Sequence, residues 1–222
     1  LVNEYFLGTF VIRKGLPYGS HYTYNYLGAD PATGQPIFET PDGKTTFDVS
    51  KAGQFAKFGT YLPKHVGGFD IAVRFRAITV SALFSYQFDV VRSDNTRNWI
   101  TRGTPGYHGA VRASRELLDN QWQKAGDNKF FQSSAYDRGF TSSDLNDAKF
   151  LRFRNLNISY AIPELRSNSG KMLIKSSRFY IQAQNLAIWS PWKGIDPEDN
   201  NNISLNEYPN PTMFVAGLDI NF

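Results

Sequence analysis

Phe214, Ala216, Leu218, Ile220 and Phe222 occupy alternate positions, with Met213, Val215, Gly217, Asp219 and Asn221 between them. A period of two marks a strand with one apolar face, because successive side chains point to opposite sides. The pattern recurs upstream. Phe69, Ile71, Val73 and Phe75 interleave with Asp70, Ala72, Arg74 and Arg76. After a tight turn near Ala77, Val80, Ala82, Phe84, Tyr86, Phe88 and Val90 alternate with Ser81, Leu83, Ser85, Gln87 and Asp89, so the two runs read as a hairpin. Leu156, Ile158, Tyr160 and Ile162 stand against Asn155, Asn157, Ser159 and Ala161, and Phe179, Ile181 and Ala183 against Tyr180, Gln182 and Gln184. Arg152 and Arg154 share parity with the apolar set of their run. Either they lie beyond any membrane, or a bulge near Asn155 flips the parity.

Such runs fit a soluble all-β protein or a transmembrane β-barrel. A mean hydropathy of −0.41 suits both, since every second residue of a barrel strand faces a polar lumen. Abundant Phe, Tyr, Thr, Gly and Asn argue against a helical bundle. No uncharged run approaches the roughly 20 apolar residues of a spanning helix. Cys is 0, which excludes disulfides, iron–sulfur clusters, thiolate zinc sites and cysteine nucleophiles. The net charge of +4 is small and evenly spread, so nucleic acid is not an expected partner. The chain starts at Leu1 without a signal peptide, as a processed outer-membrane protein also would.

Between the alternating runs lie turn-rich stretches. Residues 1–66 carry Gly28, Asp30-Pro31, Thr33-Gly34, Pro36, Pro41-Asp42-Gly43 and Pro63. Short strands are expected at 5–12 and 22–27, with a hairpin tip at Asp42-Gly43. A long polar insertion covers 92–147, with one short helix expected within 110–125 on Val111, Leu117, Leu118 and Trp122. Connections this long usually have a function or cover something.

The final segment separates the two architectures. A terminal Phe beside the carboxylate is awkward in a soluble core, because the charge must reach water. In a barrel the ring belongs to an interfacial aromatic girdle. The eight steps from Phe214 to Phe222, at roughly 3.3 Å each and about 45° tilt, span about 19 Å, most of an apolar band about 25 Å tall.

Gly217-Leu218-Asp219-Ile220-Asn221-Phe222 resembles the terminal signal of outer-membrane barrels, with Gly217, Ile220 and Phe222 as its assembly-signal positions. More widely, the chain resembles the C-terminal part of SusC/RagA-type TonB-dependent transporters. The matching stretches run from Gly28-Ala29-Asp30-Pro31-Ala32-Thr33-Gly34-Gln35-Pro36-Ile37-Phe38 through Leu62-Pro63, Gly67-Gly68-Phe69 and Phe150-Leu151-Arg152-Phe153-Arg154-Asn155-Leu156. They continue with Gln184-Asn185-Leu186, Gly194-Ile195-Asp196-Pro197-Glu198, Tyr208-Pro209 and the terminal strand. Trp122-Gln123-Lys124-Ala125-Gly126-Asp127 resembles the family's Trp-x-x-Pro-Gly-Asp loop, with Ala125 in place of the proline. The resemblance implies an all-β fold: the C-terminal antiparallel strands of a barrel of about 22 strands. It implies five barrel strands within 67–222, near 67–76, 78–91, 149–162, 174–188 and 211–222. Residues 1–66 would be an extracellular loop region with short hairpins, 92–148 and 189–210 outer loops, and residue 77 and 163–173 periplasmic turns. It further implies import of oligosaccharides or peptides across the outer membrane of a Gram-negative bacterium. The partners would be a SusD-like surface lipoprotein as lid, the lipid bilayer, the remainder of the same barrel, and TonB acting through an N-terminal plug outside these residues.

Candidate chemistry is sparse. His21, His65 and His108 lack a second ligand at helical spacing and read as packed or surface residues rather than a metal site. Asp196 and Glu198 flank Pro197 as turn chemistry rather than as a glycosidase pair. No Ser/His/Asp arrangement or phosphate loop is present, so no catalytic residue and no cofactor is expected. Trp99, Trp122 and Trp192 fall in the outer loops as candidate stacking platforms, with loop packing as the alternative; Trp189, directly after a strand, reads as a girdle or packing residue. Asn155 and Gln182 are candidate cargo contacts on the polar strand face, a face that a water-filled lumen alone would also explain. The rival reading is a soluble secreted all-β carbohydrate-binding module, and a secreted hydrolase comes third.

Overall fold

The computed structural model describes residues 4–102, 114–166, 168–170, 172–198, 203–204 and 208–222. His108, and the part of the expected helix at 110–113, lie outside them. The chain divides into two compact units. One comprises Leu1–Pro63, Asp89–Ala148 and Trp192–Glu207, the other Lys64–Phe88, Lys149–Pro191 and Tyr208–Phe222. The long connections thus share a unit with the N-terminal stretch.

The second unit is built on five long strands: β1 (His65–Phe75), β2 (Ile78–Phe88), β3 (Phe150–Ile162), β4 (Ser176–Trp189) and β5 (Met213–Asn221). They form one antiparallel meander in chain order. Arg76, at φ 54°, supplies the left-handed residue that lets a two-residue turn join β1 to β2. The turn expected at 163–173 contains a further small hairpin, Leu165–Arg166 against Met172–Ile174.

Cross-strand partners point to the same face, so the register sorts the residues. Val73, Val80 and Ile158 lie in one row with Ile181 and Ala216; Ile71, Ala82, Leu156, Ala183 and Phe214 form the next. Phe69, Phe84 and Phe153 follow, their rings stacked with centroids 4.9 and 4.7 Å apart and planes within 15° and 11°. The opposite face carries Thr79, Ser81, Asn155, Asn157, Ser159, Gln182 and Gln184.

The parity conflict at Arg152 and Arg154 is resolved by a bulge. Leu83 pairs with Asn155 but Phe84 with Phe153, leaving Arg154 as the extra residue. Arg154 Nε then donates to Ser85 Oγ at 2.7 Å, and Arg152 pairs with Ser85, so both reach the polar side. The shift is also what returns Phe153 to the apolar face. On β4 the compensating irregularity falls at Asn185, which has φ 52°. Its side-chain amide donates to the Pro211 carbonyl at 3.0 Å, and its own carbonyl accepts from Thr212 Oγ1 at 2.9 Å. A residue that tolerates left-handed backbone and offers a local donor suits this place, which gives Gln184-Asn185-Leu186 a physical role.

The apolar face stays open: Phe75 is 68% and Phe214 72% exposed, with Ile71, Val73, Ile181 and Leu218 also exposed. Among the described residues of this unit, no second large sheet covers it as a sandwich would.

The first unit is a set of short sheets and turns. Glu4–Leu7, Phe10–Arg13 and Ser20–His21 form one sheet. A turn at Gly8, φ 61°, breaks the single strand expected at 5–12 into a hairpin. Thr23–Tyr24 pairs with Gln54–Phe55, while Tyr26–Ala29, Pro36–Glu39 and Thr45–Thr46 form a third sheet, so the strand expected at 22–27 is divided between two sheets. Asp42-Gly43 forms its expected tip, with Gly43 at φ 78° and the Thr40 N–H donating to the Lys44 carbonyl. Val91–Asp94 pairs with Leu145–Asp147 and with Ile203–Ser204. Two helices follow: α1 (Asn95–Thr101), capped by Asp94 accepting from Arg97 N, and α2 (Arg115–Asn120), capped by Ser114 accepting from Leu117 N. α2 is shorter than the sequence suggests, because Gln121 turns extended and bridges Phe131.

Candidate functional site

Three features of the loop unit bear on function. At its centre is a buried ion pair. Arg138 meets Asp144 with two bonds, at 2.8 and 2.9 Å, and both side chains are fully enclosed. Asp144 also accepts from Asn98 Nδ2 at 2.8 Å and from Thr141 N at 3.0 Å, and Arg138 donates to Thr101 Oγ1 at 3.0 Å. Asn98 and Thr101 come from α1, so the network fastens that helix to 138–144. Arg97, one residue earlier, forms a forked pair with Glu116 of α2 at 2.7 and 2.9 Å, and the guanidinium holds that carboxyl below the usual carboxylate range.

A second feature joins two of the motifs that carried the family resemblance. Trp122 Nε1 donates to the Pro31 carbonyl at 3.0 Å, and Gly126 N donates to the same oxygen at 2.8 Å. Gly34, at φ 71°, lies under the Trp122 ring, where a Cβ would sit 2.5 Å from ring carbons. Asp30 closes its own turn by accepting from Thr33 N and Oγ1 at 2.9 and 2.6 Å. Asp127 does the same for the second motif, accepting from Gln123 N and Lys124 N at 3.1 Å each. The turn forms with Ala125 where the family has proline.

Third, Trp192 is 9% exposed and packs with Val90 and Ala148 as the core cluster of this unit. That position suits packing rather than a stacking platform. Trp122 is half-buried under its hydrogen bond, and Trp99 on α1 is 41% exposed. The three tryptophans therefore do not form one platform: one is core, one is a clasp and one is open. Trp189 ends β4 on the apolar face, paired with Leu151.

On the sheet, Asn155 pairs with Gln184 and Asn157 with Gln182, which gathers four amides into two adjoining rows of the polar face. Two rows further along the same face, Arg178 and Asp219 pair at 2.6 Å, with the guanidinium 5.4 Å from the Tyr180 ring centre. Gly217 faces Tyr180, whose ring fills the space a Cβ would need, so the glycine admits a cross-strand aromatic. Ile220 pairs with Ser177, and Phe222, 89% exposed, lies just beyond β5.

His21 is fully buried, its Nε2 2.7 Å from the Val91 carbonyl, while His65 is exposed. With Nε2–H donating, Nδ1 is a buried acceptor with no partner among the described residues. Burial pushes the imidazole below its ordinary value. Stability from a neutral His21 is therefore full above the unfolded pKa near 6.5 and falls as the pH drops through the lowered folded value. We expect the loop unit to lose protease resistance between pH 7.5 and 5, and His21→Gln, which can still donate to Val91, to flatten that profile. An unchanged profile would contradict this.

Arg138, Asp144 and the helix α1 carry no sequence signal of their kind. They are ordinary polar residues whose meeting depends on tertiary structure.

No family model matches the chain. The chain is 26% identical to "TonB-dependent receptor P3" of Formosa agariphila over 96% of its own length and 23% of the relative's. It is 33% identical to "TonB-dependent receptor SusC" of Bacteroides thetaiotaomicron over 35% of the chain and 8% of the relative. Among solved structures, the RagAB peptide transporter superposes on all of the chain with a TM-score of 0.87 and 27% identity, and the "open-open" RagAB peptide importer with 0.86 and 27%. In sequence and in fold, the chain matches TonB-dependent receptors of the SusC/RagA type. It spans about a quarter of the length of P3 and of the matched RagAB chains. The SusC/RagA-type match covers both units, so the loop unit shares in the likeness alongside the meander.

Proposed function

We propose that the chain is part of an energy-coupled importer in the outer membrane of a Gram-negative bacterium, carrying oligosaccharides or peptides. One observation supports this above others: a five-stranded meander with a continuous open apolar face and a polar face of amides and ion pairs. A strand wall between lipid and a wet lumen needs both faces of that kind. The two edge strands β1 and β5 would pair with the rest of the barrel, since hydrocarbon offers nothing to an unpaired N–H or C=O. In this reading the β1–β2 turn and the 163–173 connection face the periplasm. The loop unit, Leu1–Pro63, Asp89–Ala148 and Trp192–Glu207, faces outward. There it supports a SusD-like lid, while TonB acts through the remainder of the protein. Trp99, Trp122, Asn155 and Gln182 are the residues proposed to meet cargo, with Trp192 holding the loops in place.

The alternative of a soluble carbohydrate-binding module draws no support from the uncovered apolar face. The test is uptake. Deleting the gene for the full protein should abolish accumulation of a labelled oligosaccharide or peptide cargo. Deleting the adjacent lid protein, or collapsing the proton gradient, should reduce it strongly. Normal accumulation of every cargo class in the deletion strain would reject the importer reading.

A further inference from the structure

The apolar face of the meander ends in cations. Phe75, Ile78, Tyr160, Phe179 and Leu218 form one cross-strand row at the end nearest the β1–β2 turn, and Ile162, Ser177 and Ile220 lie beyond it. Phe75, Tyr160 and Phe179 are exposed. Arg76, in the turn itself, lays its guanidinium over the Phe75 ring, 5.3 Å from the ring centre. Stacking engages the flat side of a guanidinium and leaves its N–H edge for an anion. Lys175 leads into β4, its backbone N–H bonded to the Asn221 carbonyl at 2.8 Å, and both Lys175 and Arg76 are exposed. The acidic side chains described at this end are already taken: Glu164 pairs with Arg166 at 3.0 Å and Asp219 with Arg178 at 2.6 Å. Arg74 turns back to the Arg76 carbonyl at 3.5 Å. Arg76 and Lys175 are left with no carboxylate partner among the described residues.

We propose that this rim holds the headgroup of an anionic phospholipid in the inner leaflet, an inference that rests on the importer reading, in which this end of the strands faces the periplasm. Charge complementarity carries it. Cations at the edge of an apolar band sit at headgroup depth, where long side chains extend toward phosphates. The β2 and β4 backbones lie two strand spacings apart, about 10 Å, so the stems of Arg76 and Lys175 can converge on one phosphodiester. Tyr160 and Phe179 lie between them, at the depth where rings pack against the glycerol and upper acyl chain. A zwitterionic headgroup would bring its own ammonium against the two cations, whereas a phosphatidylglycerol headgroup brings only negative charge. Free phosphate has no acyl chain for the aromatic row, so the committed ligand is the lipid.

The test uses the full-length transporter with its lid protein, reconstituted in phosphatidylcholine vesicles that contain either phosphatidylglycerol or phosphatidylethanolamine with brominated acyl chains. A fluorescent label at Ile162→Cys reports from beside the rim, and one at Ala82→Cys from mid-strand; bromine quenches only on contact. We expect phosphatidylglycerol to quench the label at 162 at a several-fold lower mole fraction than phosphatidylethanolamine. Arg76→Gln and Lys175→Gln should each lower that preference by roughly three- to fivefold, as expected for one interfacial cation, while Arg76→Lys keeps most of it. The folded band on an unheated gel should be unchanged in all three, since both side chains are exposed. Equal quenching at 162 by the two lipids overturns the proposal, as does a preference unmoved by both Gln variants or one abolished by millimolar inorganic phosphate. A label at 162 that neither lipid quenches, with quenching intact at 82, also overturns it and shows the rim covered by protein, such as a second copy of the chain. If neither label is quenched by either lipid, the sheet is not in lipid and the importer reading itself fails.

Discussion

Asp144→Ala should unfasten the loop unit. It removes the only carboxylate bonded to Arg138 among the described contacts, leaving a guanidinium that is fully enclosed. Breaking one partner of a buried pair costs about 3–5 kcal/mol, mostly because the survivor stays charged and unpaired. The loss should be local. Thr141 N also loses its acceptor and Asn98 one of its two, so protection against hydrogen exchange should fall in α1 and in 138–144. The meander β1–β5 holds no member of the network and should keep its protection. A double change, Asp144→Leu with Arg138→Met, should recover much of the loss, since an apolar pair of similar volume removes the stranded charge. Full protection of α1 in Asp144→Ala would show that the ion pair does not hold the unit together.

A second large effect is expected from a single charge placed on either side of β2. Ala82 sits at mid-strand between Ile71 and Leu156 on the apolar face, and Ser81 beside it lies between Ala72 and Asn157 on the other. If the apolar face meets lipid, Ala82→Lys should cost about 2–4 kcal/mol, the value for a lysine near the bilayer midplane. Ser81→Lys, one residue away, should fall within about 0.5 kcal/mol of the parent, as a change on a wet surface does. The gap should appear as outer-membrane abundance and as the temperature at which the folded band is lost on a gel. Equal effects at the two positions would place neither face in lipid.

The strands were legible because their pattern is local. Alternation over five or more residues depends only on the chain, and the five ladder strands fall within a few residues of their expected bounds. Even the parity conflict at Arg152 and Arg154 was visible, and its resolution by a bulge was one of two outcomes the residues allowed. The loop unit was harder to read. α1 has almost no apolar face: its buried residues are Asn95, Arg97, Asn98 and Thr101, and of these Asn98 and Thr101 bond to Asp144, Arg138 and a backbone carbonyl contributed from elsewhere. No helical periodicity announces such an element. The same holds for Trp192, which a sequence can only mark as a tryptophan in a loop. Its burial against Val90 and Ala148 depends on chain segments that meet only in the fold. By contrast Gly34, Trp122 and Gly126 were marked by family likeness; Trp122 and Gly126 both donate to the Pro31 carbonyl and Gly34 leaves room for the Trp122 ring, which explains why those residue types occur together.

The most direct test of the central claim is a residue-by-residue scan of β2 in native membranes. Single cysteines at positions 79 to 87 can be introduced without removing others from this segment, since the chain contains no cysteine. Each would carry a nitroxide label, and its collisions with dissolved oxygen and with a water-soluble nickel complex would be compared. Positions 80, 82, 84 and 86 should favour oxygen, as sites in hydrocarbon do. Positions 79, 81, 83, 85 and 87 should favour the nickel complex, giving a clean period of two. A profile without that alternation, or one in which the even positions are reached equally by the nickel complex, would contradict a strand wall between lipid and lumen.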